Sequence, residues 1–216
     1  MTQYILFSQQ ETLTMIDGPA GTIEAMVQAP AQPIEMIGII CHPHPLHGGA
    51  MGNKVVTTVQ RTLHGLNMPT VRFNFRGVGK SAGQFDQGIG ETEDLMAVIN
   101  WARQCYPHAK LCLAGFSFGS FVAYRAANCA HADILISIAP PVTYFPMDPA
   151  LLPTMSWIVV QGDKDEVIDP TVVFTWLQQL PIQPETLLFP EAGHFFHGRL
   201  IELRERLSTA LQGYLA

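Results

Sequence analysis

Apolar and polar positions along this chain follow two alternating periods. Short apolar runs at residues 36–41, 69–75, 110–116, 132–139, 155–160 and 186–189 predict buried strands, too brief for helices and rich in Val, Ile, Leu and Phe. Ahead of them, residues 12–16 and 24–28 flank Asp17-Gly18-Pro19 and predict an antiparallel hairpin. Between the strands the spacing becomes helical. Val55, Val59, Leu63 and Leu66 share a face of a predicted helix over 53–66, and Leu95, Ile99 and Ala102 do so over 92–104. An Ala-rich segment, 118–128, predicts another helix, and Leu200, Leu203, Leu207 and Leu211 repeat at helical spacing near the C-terminus. Strand and helix in repeated alternation imply right-handed crossovers, hence an α/β fold with a mostly parallel sheet and helices on both faces.

The junction between the 110–116 strand and the 118–128 helix carries Gly115-Phe116-Ser117-Phe118-Gly119. Small neighbours leave room for a sharp turn there, and such a turn lifts a serine hydroxyl above the end of the sheet. A Gly-x-Ser-x-Gly string alone is weak evidence, so its context decides. Downstream strands end in Gln161-Gly162-Asp163-Lys164-Asp165-Glu166 and in Pro190-Glu191-Ala192-Gly193-His194. Serine, acid and histidine thus each follow the C-terminal end of a predicted strand, where open α/β sheets place their ligands. A serine hydroxyl barely ionises at neutral pH, so it needs a base, and the base needs an acid to hold its tautomer and stabilise its cation. His194 fits the base and Asp165 the acid, with Asp163 as its competitor.

Together the elbow, the acid turn Gly162-Asp163-Lys164-Asp165 and the turn Ala192-Gly193-His194 resemble the α/β-hydrolase superfamily of serine hydrolases, in order and spacing, from about residue 36 onward. Arg76-Gly77-Val78-Gly79-Lys80-Ser81 is similar to a loop that follows the fourth strand in many members. The stretch Cys41-His42-Pro43-His44-Pro45-Leu46-His47-Gly48-Gly49, with Asn53-Lys54 after it, resembles a narrower group of small bacterial members in which His-Pro replaces the usual His-Gly. The resemblance implies an α/β-hydrolase fold with Ser117, Asp165 and His194 as catalytic residues. Its spacing favours Asp165 over Asp163, which is left as a turn former. Many relatives insert a lid after the sixth strand. Only residues 140–154 are available here, so no cap domain is expected, and Tyr144, Phe145 and Met147 are candidates for one wall of a pocket or for plain packing.

Acyl transfer builds negative charge on a carbonyl oxygen, which backbone N–H donors stabilise. One expected donor is Phe118, directly after the nucleophile. A second is expected from the loop after the third strand, where Pro43 and Pro45 lack an N–H and leave His44, with Leu46 as the fallback.

Composition narrows the partners. The 216 residues, 48% hydrophobic and 14% charged, suit a single domain over 1–216 with a sizeable core. A net charge of −6 gives no basic footprint, so neither nucleic acid nor an anionic membrane surface is an expected partner. Residues 1–8 lack the features of a leader peptide, and no apolar run approaches the roughly 20 residues of a membrane span. Cys41, Cys105, Cys112 and Cys129 show no paired spacing, which fits reduced thiols in a cytoplasmic protein.

Two rival chemistries use the same residues. His42-x-His44-x-Leu46-His47 is close to a zinc-binding His-x-His-x-Asp-His, but Leu46 stands where the aspartate belongs and no downstream ligand set follows, so no metal is expected. His42 and His47 then order the loop. Gly77-Val78-Gly79-Lys80-Ser81 is similar to a phosphate-binding loop, yet Asn74 occupies the position of its first glycine and no helix starts at Lys80. Arg76 and Ser81 are expected to anchor that loop. Glu91 and Asp94 read as first-turn acids favoured by a helix dipole, and His197 as solvent-facing.

The expected function is a cofactor-free serine hydrolase that cleaves a small-molecule carboxylic ester through an acyl-enzyme, since esters demand least of leaving-group protonation. A peptidase, thioesterase or acyltransferase on the same triad, or a non-catalytic binding protein of the same fold, are the alternatives.

Overall fold

A computed structural model describes residues 7–215, and most of the leader reading made on residues 1–8 lies outside them. Its eight strands are β1 (Thr12–Gly18), β2 (Gly21–Gln28), β3 (Met36–Cys41), β4 (Thr70–Phe73), β5 (Lys110–Phe116), β6 (Ile134–Ile138), β7 (Ser156–Gly162) and β8 (Glu185–Phe189). Five helices join them: α1 (Lys54–Gly65), α2 (Ile89–Cys105), α3 (Phe118–Ala127), α4 (Pro170–Gln179) and α5 (Leu200–Leu215). The strands form one sheet in the order β1-β2-β4-β3-β5-β6-β7-β8. Pairing is parallel from β4 through β3 to β8, while β2 runs antiparallel to both β1 and β4.

Side chains of a strand point alternately to opposite faces, and this divides the core in two. Ile37, Ile39, Leu111, Leu113, Leu135 and Val159 pack on one face against Leu95, Val98 and Ile99 of α2, Val122 of α3 and Val173 and Leu177 of α4. Met36, Ile40, Cys112, Ala114, Ile136 and Ile158 fill the other, under Val55, Val59 and Leu63 of α1 and Leu203, Leu207 and Leu211 of α5. The expected α/β-hydrolase fold is therefore present, antiparallel N-terminal hairpin included.

Departures from the predicted elements have local causes. The hydrophobic pattern does not predict helix α4, because Val173 and Leu177 are its only buried positions and Val172, Val173 and Thr175 are β-branched. Its start signal is nonetheless in the sequence: the Asp169 side chain accepts the Thr171 N–H at 2.8 Å, and Pro170 opens the first turn. Helix α2 begins at Ile89 rather than 92, because the Glu91 carboxylate reaches back to accept the N–H groups of Asp86 and Gly88. Strand β4 ends at Phe73, two residues before the predicted end: the Asn74 amide still donates to Glu24 O of β2, but the Phe75 amide turns away to His42 Nε2. Between β6 and β7 the chain makes one short 3-10 turn, Pro149–Leu151, and no cap domain.

Candidate active site

Ser117 sits between β5 and α3 at φ +52° and ψ −121°, a conformation that costs an L-residue on the order of 1–3 kcal/mol and persists only when its surroundings enforce it. The two flanking glycines supply that enforcement. A Cβ on Gly115 would lie 2.1 Å from Gly119 O, and one on Gly119 would lie 2.4 Å from Cys41 O at the end of β3. The serine backbone is tied down on both sides, its N–H donating to Ile138 O at 2.8 Å and its carbonyl accepting from the Ser120 amide and hydroxyl. Its own hydroxyl has no partner among the described residues, so the turn fixes the serine and leaves Oγ free.

Asp165 lies in the turn after β7 and His194 in the turn after β8. Their side chains are buried together, with His194 Nδ1 2.9 Å from Asp165 Oδ2 and 3.1 Å from Oδ1. Asp165 Oδ1 also accepts the N–H groups of Val167 at 2.9 Å and Ile168 at 2.8 Å, and Oδ2 accepts from Gln161 Nε2 at 3.1 Å. Burial pushes the Asp165 carboxyl upward. The hydrogen bonds from His194, Ile168 and Val167, with the charge of His194, outweigh it and hold the group below the ordinary carboxylate value. An ionised Asp165 makes Nδ1 the protonated nitrogen and leaves Nε2 as a lone pair. The ring is further fixed by Phe116 and Phe195, each with its centroid 5.0 Å away, and by the His194 N–H, which donates to Glu166 Oε2 at 3.0 Å.

All three residues thus meet one rim of the sheet, and Phe116, next in sequence to Ser117, is the ring on which His194 rests. Among the described residues, no hydrogen bond joins Ser117 Oγ to His194 Nε2. Contacts of this kind are commonly long without substrate and tighten when it binds. Asp163, the competing acid, turns elsewhere and accepts the Glu191 N–H at 2.6 Å.

Beside Ser117 opens a cavity of about 330 Å³, lined by His44, His47, Phe118, Pro141, Tyr144, Phe145, Val167 and Ile168. No side chain in that lining carries a formal charge at neutral pH apart from any protonated histidine. Tyr144 and Phe145 form one wall, whereas Met147 is buried in the core with α3. A larger surface groove of about 630 Å³ runs between the start of β8 and α5, remote from Ser117.

Neither the Phe118 nor the His44 amide donates to a protein acceptor among the described residues. The Leu46 amide, by contrast, is spent on His44 Nδ1 at 3.2 Å. That bond makes His44 Nδ1 an acceptor and so a neutral imidazole, in line with burial and the neighbouring His47 lowering its pKa. The His44 and His47 rings stack at 4.4 Å.

His42 orders the loop from inside it. Its Nδ1 donates to Pro43 O at 2.6 Å and its Nε2 accepts the Phe75 N–H at 3.0 Å, so neither nitrogen is left for a metal. Burial pushes its pKa down to about 4, against the smaller upward pull of the Pro43 bond. Ser81 and Arg76 anchor the neighbouring loop as expected. Ser81 Oγ donates to Asn74 O at 2.7 Å and accepts the Glu24 N–H at 2.9 Å. Asp94 departs from the helix-dipole reading: its carboxylate takes the Arg76 amide, Nε and Nη2 at 2.8–3.0 Å, an ion pair closed across 18 residues.

Gln161 and Glu166 are the two residues at this site that pattern reading passed over. Both had a faint signal, an amide inside the apolar run of β7 and an acid directly after an acid.

Comparison with known proteins bears on the fold that carries this site. The family model of the X-Pro dipeptidyl-peptidases (S15 family) matches residues 53–145. The uncharacterized protein RP471 of Rickettsia prowazekii is 34% identical over 209 residues, covering 92% of this chain and 86% of its own. Among solved structures, XC6422 of Xanthomonas campestris, described as an α/β serine hydrolase without lid, superposes with a TM-score of 0.92 at 43% identity over 97% of both chains. An α/β serine hydrolase homologue from Coxiella burnetii gives 0.90 at 46% identity, over 95% of this chain and 99% of that one. With Ser117 on its strained elbow and relatives this similar over nearly the whole length, the chain belongs to the α/β serine hydrolases.

Proposed function

We propose that this protein hydrolyses uncharged carboxylic esters through an acyl-enzyme on Ser117. In this reading Ser117 Oγ attacks the ester carbonyl as His194 Nε2 takes its proton, and the carbonyl π pair moves onto the oxygen, held by the Phe118 and His44 amides. The tetrahedral species collapses, the C–O bond to the alcohol breaks, and the alcohol leaves with the proton from Nε2. Water then attacks the acyl-enzyme, again through Nε2, and the acid departs while Ser117 regains its proton. Asp165 stays ionised throughout and stabilises the imidazolium. The single observation that carries the reading is the pairing of a Ser117 hydroxyl, at φ +52° and without a partner among the described residues, with a His194 whose Nδ1 is committed to Asp165 on the same rim.

The cavity supports an ester over the peptidase alternative. A dipeptidyl-peptidase must recognise the cationic amino terminus of its substrate, which calls for a carboxylate, and among the described residues no acidic side chain lines the cavity beside Ser117. The matching S15 segment, 53–145, also stops short of Asp165 and His194. Aromatic and aliphatic walls suit an apolar acyl or alcohol group instead. The four cysteines are free, Cys41 and Cys112 buried and Cys129 exposed, which supports a reducing compartment, and we place the enzyme in the cytoplasm.

Short-chain p-nitrophenyl esters and X-Pro p-nitroanilides, assayed side by side, test the proposal. Ester turnover that vanishes in Ser117→Ala is expected. Turnover of the anilides with none of the esters would replace it with the peptidase reading, and a well-folded protein inert to both would favour a binding protein.

A further inference from the structure

Gln161 lies one residue before the end of β7, fully buried, and among the described residues is the only side chain other than His194 that donates to the Asp165 carboxylate. Its amide nitrogen has two acceptors, Gly162 O and Asp165 Oδ2, both at 3.1 Å, which uses both hydrogens and fixes which way the amide faces. The oxygen it touches is the one that makes the shorter bond to His194 Nδ1. Val167 and Ile168 hold Oδ1 by their backbone amides, so Oδ2 would keep only the imidazole if Gln161 were removed. In return for this contact, Gln161 Oε1 is buried with no donor among the described residues. A core chosen for stability alone avoids an orphaned carbonyl, since an apolar side chain of the same shape would bury more comfortably.

We infer that Gln161 is a positioning residue for the reaction: it clamps the Asp165 carboxylate in the plane that receives His194 Nδ1–H, at some expense to stability. The inference rests on the reading of Asp165 and His194 as acid and base. Gln161 acts on the imidazole only through Asp165, so its loss should slow the proton transfer and leave substrate binding alone.

The test is Gln161→Met, which keeps the volume, removes the donor and removes the orphaned oxygen. Its kcat on p-nitrophenyl acetate is expected to fall about tenfold with KM within about twofold, as is typical when a reacting group loses its alignment. Its Tm is expected to stay within about 2 °C of wild type or to rise, because the unsatisfied carbonyl is gone. The rate of phosphonylation of Ser117 by a fluorophosphonate should fall in step with kcat. Gln161→Glu, of nearly the same shape but repelling Asp165 once ionised, is the second variant should the first not fold, and it is expected to lose at least as much kcat at pH 8. Wild-type kcat and labelling rate in a folded variant would overturn the inference. So would a loss of kcat accompanied by a lowered Tm, which would mark Gln161 as structural. Wild-type protein that the fluorophosphonate does not label would fell the serine-hydrolase reading itself, and this role with it.

Discussion

His42 and His194 are buried almost equally, at 0% and 3% exposure, and both direct Nδ1 at an oxygen, yet they stand at opposite ends of what a histidine can do. In the β3 loop, His42 bonds a neutral carbonyl with one nitrogen and receives the Phe75 amide on the other, so its ring is a fully satisfied strut. In the β8 turn, His194 bonds a carboxylate, and its Nε2 has no partner among the described residues. Burial therefore does not separate structure from chemistry. What separates them is whether a nitrogen is left over, and whether the other faces a charge that can hold a cation.

The largest expected effect lies on the His194 side. Asp165→Asn should keep the fold and lower kcat on the order of 10⁴-fold, because an amide in that place favours the wrong imidazole tautomer. The corresponding change on the other side, His42→Phe, should leave the chemistry of the folded fraction within an order of magnitude. Its damage should appear in urea titrations as a loss of about 2 kcal/mol, since Phe75 N–H and Pro43 O both lose their partner.

Next in size is the oxyanion contribution of the loop that His42 supports. His44 has φ −53°, a value proline adopts, so His44→Pro removes the amide hydrogen where its own torsion allows it. A fall in kcat of about 10²–10³ is expected, with His44→Phe, which keeps the amide, well above it. Equal activity of the two variants would move the second donor elsewhere.

A third effect is a pH dependence of stability that belongs to His42. Its folded pKa of about 4 lies below the ordinary 6.5, so between those values the unfolded chain binds the extra proton. The stabilisation is complete above pH 6.5 and is lost as pH falls toward 4, a span worth about 3 kcal/mol. Asp165, held below 3.8, contributes stability above that value and loses it only as pH falls further. Urea midpoints taken from pH 7 to pH 4.5 should therefore decline in the wild type and flatten in His42→Phe.

Legibility in the sequence followed the range of the forces involved. The elbow could be read from five consecutive residues because its cause is local: Gly115 and Gly119 are small where backbone passes, and strand β5 and helix α3 announce themselves on either side. The site around Asp165 was readable only in its outline. Asp165 and His194 could be paired by their order and by the family they resemble, but the Gln161 amide and the Glu166 carboxylate gain meaning only after β7 and β8 are aligned. Asp94 shows the same limit, since an acid in the first turn of the predicted helix satisfies the dipole rule until folding brings Arg76 against it. Helix α4 was missed for an energetic reason, because two buried side chains over ten residues leave almost no periodic trace.

The central claim is that His194, and not merely a buried histidine near the elbow, activates Ser117. Intact-protein mass spectrometry after exposure to a fluorophosphonate, with the adduct mapped by peptide and its rate followed, tests it most directly. The account expects one adduct, on Ser117, forming at least about 100-fold more slowly in His194→Gln and at near the wild-type rate in the folded fraction of His42→Phe. Labelling at another residue, or at an undiminished rate in His194→Gln, would contradict it.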